Sequence, residues 1–112
     1  MNAFEVLADP VRRRILELLA SGELSSGDVV TVIREEFHIS QPAVSQHLRV
    51  LRDNGFATVR PEGARRLYAV DGRAMSEVEA WLQRFRHFWD QPLDALDTEI
   101  KRGKRARRRK EE

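Results

Sequence analysis

The periodicity of the apolar residues changes at Asn54-Gly55, and this change is the strongest constraint on the fold. Before it, apolar residues recur at the spacing of amphipathic helices. After it, residues 56–60 and 65–70 alternate as strands do, and Pro61-Glu62-Gly63-Ala64 between them has turn chemistry. Beyond Asp71 the helical spacing returns and continues through Trp89, and after an interruption at Pro92 it resumes to Ile100. We therefore predict a mainly α fold with a small β-hairpin, in the order four helices, hairpin, long last helix.

Two helices are predicted at the start of the chain. The spacing of Phe4, Leu7 and Ala8 indicates a short first helix. Asp9-Pro10 then combines an N-cap residue with a proline at the first helical position, so a second helix begins there and ends at Ser21-Gly22. The apolar face of this second helix consists of Val11, Ile15, Leu18 and Leu19.

The third and fourth helices form a candidate helix-turn-helix. Ser25 and Asp28 resemble a capping box, and Ser40 is a good N-cap with Pro42 in the first turn of the helix that follows it. Residues 37–39 turn the chain between the two helices. The apolar stripe of the third helix consists of Val29, Val32, Ile33 and Phe37.

The fourth helix has the pattern of a recognition helix. With Val44, Leu48 and Leu51 facing inward, its outward face consists of Gln41, Ser45, Gln46 and Arg49. An α-helix fits the major groove of B-DNA, where glutamine can pair with adenine, arginine with guanine and serine with either. The ordinary surface helix of a globular protein has a similar composition, so the helix alone leaves this alternative open.

The predicted hairpin follows the fourth helix directly and carries Arg60, Arg65 and Arg66 around its tip. Arginines in this position can reach phosphates or the minor groove beside a recognition helix. A hairpin whose arginines only interact with solvent is the alternative.

Positive charge is concentrated at the C-terminal end of the sequence. Residues 101–112 carry eight basic and two acidic side chains, whereas the other 100 residues carry 12 basic and 16 acidic ones, a net charge of −4. DNA binding by this body would therefore require a local basic patch. We predict one domain over residues 1–100 and a disordered tail over residues 101–112, with added phosphate affinity as the tail's alternative role.

Composition excludes several classes of protein. The chain has no cysteine, which excludes disulfides, thiolate metal sites and thiol catalysis. No apolar run approaches the ~20 residues needed to span a bilayer, and no signal-peptide pattern is visible. We therefore expect a cytoplasmic protein without membrane insertion. No nucleophile–base pair or phosphate loop is visible either, so we expect neither enzymatic activity nor a cofactor.

Three separated segments resemble the ArsR/SmtB family of bacterial winged-helix repressors. They are LADPVRRRIL at residues 7–16, SQPAVSQHLRVLRDNG at residues 40–55 and RRLY at residues 65–68, in the order of that family. The resemblance covers roughly residues 3–90. Residues 71–100, with the Phe88-Trp89 pair, are similar to the family's autorepressor-type members and not to its metal sensors.

The resemblance implies a winged helix-turn-helix repressor that binds double-stranded DNA as a homodimer. Helix 41–54 would lie in the major groove, with the 60–66 wing on the backbone or in the minor groove. The DNA contacts carried over are Gln41, Ser45, Gln46, His47, Arg49, Arg65 and Arg66. The implied dimer interface joins the first and last helices through Phe4, Leu7, Val78, Trp81, Leu82, Phe85 and Trp89. A winged-helix module that binds protein is the alternative function, and the sequence assigns no inducer.

The metal ligands of the family's sensors are not reproduced here. Many members use a cysteine pair in the helix before the recognition helix, and residues 29–36 contain no cysteine. The last helix offers His87 with Glu77, Glu79 and Asp90, but no second histidine. A lone helical histidine is usually a surface or packing residue, so we predict no metal site.

Overall fold

A computed structural model describes residues 1–89 of the chain. They comprise a first compact unit, Met1–Val78, and the described part of a second unit, residues 79–89. The elements in chain order are α1 (Ala3–Leu7), α2 (Pro10–Ala20), β1 (Leu24–Ser25), α3 (Ser26–Phe37), α4 (Gln41–Asp53), β2 (Ala57–Glu62), β3 (Arg65–Val70), α5 (Gly72–Gln83) and a 3₁₀ turn (Arg86–Phe88).

The helices α2, α3 and α4 of the first unit begin at the predicted capping residues. Asp9 caps α2, Ser25 caps α3 and Ser40 caps α4, each by accepting a hydrogen bond from a backbone N–H of the first turn, at 2.8, 3.0 and 3.2 Å respectively. Each such cap stabilises a helix by about 1 kcal/mol because it satisfies an N–H that has no partner within the helix. These predicted helix starts are confirmed.

The sheet has three antiparallel strands in the order β1-β3-β2. The sequence did not predict β1, because two residues are too short to show alternation. The predicted turn over residues 61–64 was two residues too long, since β2 continues to Glu62 and pairs it with Arg65. Only Gly63 and Ala64 connect the strands, and Gly63 has φ +62°, a conformation that tight hairpin turns require.

The core of the first unit lies between α2, α3, α4 and the sheet. The predicted apolar faces of these helices supply most of it, which confirms their helical spacing, and Phe56 at the entry to β2 is fully buried. The largest fully buried side chains are Phe56, Ile15, Ile33, Leu48, Leu51, Val6, Val29 and Val44.

The last helix is shorter than predicted. We expected one helix through Trp89 with an interruption at Pro92, but α5 ends at Gln83 and a 3₁₀ turn follows. Backbone bonds from Arg84 and Phe85 reach back only three residues, and the Trp81 and Phe85 rings pack with centroids 4.8 Å apart. No glycine or proline marks this point, so the sequence contained no stop signal.

Several predictions lie outside the described residues. They are the resumption of helix beyond Pro92 to Ile100, the domain boundary at residue 100 and the nature of the basic tail over residues 101–112. Within residues 1–89, no helix is both long and apolar enough to cross a membrane.

Candidate nucleic-acid interface

A tight turn joins α3 to α4. His38 ends α3 in the left-handed conformation, with φ 57° and ψ 41°, and its N–H donates to the Arg34 carbonyl at 2.9 Å. Two residues later, Ser40 caps α4. This tight turn of three residues packs α4 against α3 in a helix-turn-helix.

The two faces of α4 differ completely in burial. Val44, Leu48 and Leu51 are at most 2% exposed, as predicted from their spacing. The predicted DNA-contacting side chains of the opposite face are all exposed: Gln41, Ser45, Gln46 and Arg49. Within the described part of the chain, the Arg49 guanidinium makes no ion pair or hydrogen bond. The structure therefore brings these four polar side chains together on one accessible helix surface.

His47 has a different environment from its neighbours on α4. It is half-buried, and its Nδ1 lies 3.4 Å from Nη1 of Arg12 on α2. Of the side chains that we predicted to contact DNA from α4, His47 is therefore the one that also packs against another helix.

The three wing arginines are not equivalent. Arg60 donates to both carboxylate oxygens of Glu23 at 2.8 and 2.9 Å, and Arg65 donates to Glu62 at 3.0 Å. Hydrogen bonding to Arg60 lowers the pKa of Glu23 below its usual value. Arg66 is exposed and has no acidic partner among residues 1–89. The structure thus holds two of the wing arginines on acidic residues of the same subunit.

An open groove of about 430 Å³ connects the wing to the start of α3. It is lined by Ser25, Ser26, Gly27, Ala64, Arg65 and Arg66. The positively charged wing tip and the first turn of α3 therefore border the same depression, beside the helix-turn-helix.

The predicted dimer residues fall into two groups. Leu7 and Val78 are half-buried against the core of the first unit. The others are large apolar side chains that are between 37% and 43% exposed: Phe4, Trp81, Leu82, Phe85 and Trp89. Phe85 and Trp89 lie beyond the end of α5, directly before and directly after the 3₁₀ turn.

Two polar residues important to this site were missed by sequence reasoning. Arg12 lies in the polar part of α2 and Glu23 in a short loop, and neither position has a local pattern that sets it apart from a solvated surface charge. Their partners, His47 and Arg60, are 35 and 37 residues away, so only the folded chain brings them together. For residues 1–89, no group of three or more His, Asp or Glu residues could hold a metal ion.

A helix-turn-helix followed at once by a two-stranded wing defines a class of protein, the winged helix-turn-helix proteins. A family model described as bacterial regulatory protein, arsR family, matches residues 9–59, from the cap of α2 into β2. The chain is also 40% identical over 84 residues to the HTH-type transcriptional regulator Rv2034 of Mycobacterium tuberculosis, covering 75% of each chain. The chain therefore belongs to the arsR family of bacterial regulatory proteins, and its function is regulatory and not enzymatic.

Other relatives and solved structures agree with this assignment. The transcriptional repressor SdpR of Bacillus subtilis is 30% identical over 92 residues, which are 82% of this chain and 98% of the repressor. The crystal structure of a possible transcriptional regulator for arsenical resistance is similar with a TM-score of 0.65 and 36% identity, over 88% of this chain and 96% of that one. The homodimeric winged helix-turn-helix DNA-binding domain Mb0332 of Mycobacterium bovis has a TM-score of 0.58 at 26% identity, over 79% and 78% of the two chains. The predicted fold is confirmed.

Proposed function

We propose that this protein is a sequence-specific repressor of transcription that binds double-stranded DNA as a homodimer. The observation that carries the proposal is the division of α4 into a fully buried apolar face and an exposed polar face. A relative that this chain matches over 98% of the relative's length is a transcriptional repressor, and a structural neighbour is a homodimeric DNA-binding domain. This function places the protein in the cytoplasm, on the nucleoid when DNA is bound.

In the proposed complex, α4 enters the major groove. Gln41, Ser45, Gln46 and Arg49 face the bases, and each bidentate pair of a glutamine or arginine contributes about 1–3 kcal/mol of discrimination between bases. We assign His47 to a backbone phosphate, because its ring is half-buried against α2. Arg65 and Arg66 in the wing bind the backbone or the minor groove, which fixes the register of the protein on the duplex.

The proposed homodimer buries the exposed apolar side chains of α1, α5 and the segment after α5. Fully burying a large apolar side chain contributes about 1.5–3 kcal/mol, so several such residues can hold two subunits together. A two-fold dimer presents its two copies of α4 to half-sites about one helical turn apart. The proposed interface comprises Phe4, Leu7, Val78, Trp81, Leu82, Phe85 and Trp89.

DNA recognition is tested by fluorescence-polarisation titrations with the duplex upstream of the protein's own gene and with a scrambled duplex. We expect the wild type to prefer the native duplex and Gln46→Ala with Arg49→Ala to lose that preference. Arg34→Ala, which removes an exposed arginine of α3 without an acidic partner in the described residues, is the control for charge. Equal binding of both duplexes by the wild type would refute the proposal and favour a protein-binding module.

Dimerisation is tested by sedimentation equilibrium. Leu82→Lys places a charge on an exposed apolar position of α5 and should shift the protein toward monomer. Ala80→Lys is the matched control, because two residues along an α-helix turn the side chain by about 200°, to the opposite face. A wild type that is monomeric at all concentrations would contradict the proposed dimer.

A further inference from the structure

Arg12 of α2 contacts both α1 and α4. Its Nε donates to the carbonyl of Val6 at 2.8 Å and its Nη2 to the carbonyl of Glu5 at 3.1 Å. Its Nη1 lies 3.4 Å from Nδ1 of His47 and 3.8 Å from a carboxylate oxygen of Asp9. The side chain is only 12% exposed, so this guanidinium is enclosed by three separate segments of the fold.

The contact with Arg12 bears on the tautomer of the neutral His47 ring. A guanidinium carries only donors, so Nδ1 of His47 must be the acceptor in this contact. The proton of the neutral ring then resides on Nε2, which remains a hydrogen-bond donor. Arg12 thereby selects the tautomer whose second nitrogen can donate to an anion.

We propose that Arg12 is a positioning residue for DNA recognition, which sets the orientation of α4 relative to α1 and the tautomer of His47. This inference rests on the proposed function. Because α1 carries Phe4 of the proposed dimer interface, Arg12 connects the surface that joins the subunits with the helix that reads DNA. The spacing between the two copies of α4 then depends on a side chain that does not itself touch the duplex.

The neighbouring residue provides a matched control. Arg13 also ties α2 to the end of α1, since its Nη1 donates to the Leu7 carbonyl at 2.6 Å. Within the described residues, Arg13 has no hydrogen bond to α4. Arg12→Met and Arg13→Met each remove one arginine that is attached to α1, by two hydrogen bonds for Arg12 and one for Arg13. Only Arg12→Met also removes the ion pair with Asp9 and the contact with His47 on α4.

The first measurement compares the affinities for the native and the scrambled duplex, together with the free energy of unfolding. We expect Arg12→Met to lower the preference for the native duplex about tenfold, and Arg13→Met to leave it unchanged within about twofold. Arg12→Lys retains the charge but cannot reach all four partners, so it should give an intermediate loss of that preference. Arg12→Lys also serves as the test variant if Arg12→Met does not fold.

The second measurement uses the ring-nitrogen chemical shifts of His47 in the free protein, assigned with His47→Gln. The wild type should show the Nε2–H tautomer, and Arg12→Met or Arg12→Lys should show a mixture. Unchanged DNA preference in the Arg12 variants, or an unchanged His47 tautomer, would overturn the inference alone. A wild type that prefers neither duplex would overturn the proposed function, and the inference with it.

Discussion

The carboxylate of Glu23 and the guanidinium of Arg60 form two hydrogen bonds of 2.8 and 2.9 Å. Glu23 immediately precedes β1 and Arg60 lies in β2, and these two strands are on opposite sides of β3. The pair therefore spans the central strand and joins the two edges of the sheet. It also holds one cation of the wing on the protein itself, where that cation is less available to a phosphate.

Glu23→Gln should increase the affinity for DNA by releasing Arg60. Each additional phosphate contact makes log K fall more steeply with log salt, by about 0.9 per contact. We expect Glu23→Gln to bind DNA more tightly than the wild type at low salt and to give a steeper slope of log K against log salt. Polarisation titrations over a range of salt concentrations measure both.

Glu17→Gln is the control for this experiment, because it removes the same charge from α2 and leaves the Glu23–Arg60 pair intact. A slope that changes equally in both variants would show that overall charge, and not the release of Arg60, is responsible.

The ion pair between α2 and α3 should make stability depend on pH. Arg14 donates to both carboxylate oxygens of Glu36 at 2.9 and 3.1 Å, and this hydrogen bonding lowers the pKa of Glu36 below its ordinary value of 4.5. A carboxyl whose pKa is lower in the folded state stabilises the fold above pH 4.5, and this contribution is lost as pH falls below 4.5 through the folded-state pKa.

Glu36→Gln should therefore reduce the Tm at neutral pH and flatten its decline in acid, measured by thermal unfolding at a series of pH values. Glu35→Gln removes an adjacent glutamate that has no ion pair among residues 1–89, so it should affect this decline less. Identical pH profiles for the two variants would contradict a specific role of the Arg14–Glu36 pair.

The backbone of His38, in the turn of the helix-turn-helix, has an unfavourable conformation. A non-glycine residue in the left-handed region costs about 1 kcal/mol or more, and His38 has φ 57°. His38→Gly should raise the free energy of unfolding in urea by about 0.5–1 kcal/mol, because the native backbone strain it relieves exceeds the entropy that glycine adds to the unfolded chain.

His38→Val should change the free energy of unfolding in the opposite direction. A β-branched residue is poorly accommodated at positive φ, so this variant should lose about 1 kcal/mol or more of stability. Equal stabilities of the glycine and valine variants would contradict the left-handed conformation of residue 38.

The two faces of α4 should respond differently to truncation. Leu48 is 2% exposed, so Leu48→Ala should leave a cavity and reduce the free energy of unfolding by about 2–5 kcal/mol. Gln46→Ala lies on the exposed face and should change it by less than about 0.5 kcal/mol while weakening binding to the native duplex. A large loss of stability in Gln46→Ala would contradict the orientation of α4.

The main elements of the first unit could be predicted because their signals are local. Asp9, Ser25 and Ser40 cap helices through hydrogen bonds that span two or three residues, and the apolar residues of α2 to α4 recur with the helical period. The polar face of α4 follows from the same periodicity, since the positions of the buried residues determine which residues lie opposite. Their role in DNA binding stays a prediction.

The end of α5 and the strand β1 could not be predicted from such signals. No residue near Gln83 breaks a helix, and β1 exists because Leu24 and Ser25 pair with Tyr68 and Leu67 of a strand more than 40 residues away. Its hydrogen bonds are formed by backbone atoms that are common to all residue types, so the side chains gave no indication of the partner.

The sequence by itself determined the order of helices and hairpin, the starts of α2 to α4 and the two faces of α4, because these depend on neighbours within one or two turns of chain. Only the tertiary structure decided that Arg60 is held by Glu23, that Arg12 lies between α1 and His47, and that Arg66 has no acidic partner within the described part of the chain. The physical reason is the distance along the chain between the partners. An arginine can pair with any carboxylate or carbonyl oxygen, and only the folded backbone decides which of these oxygens comes within hydrogen-bond distance.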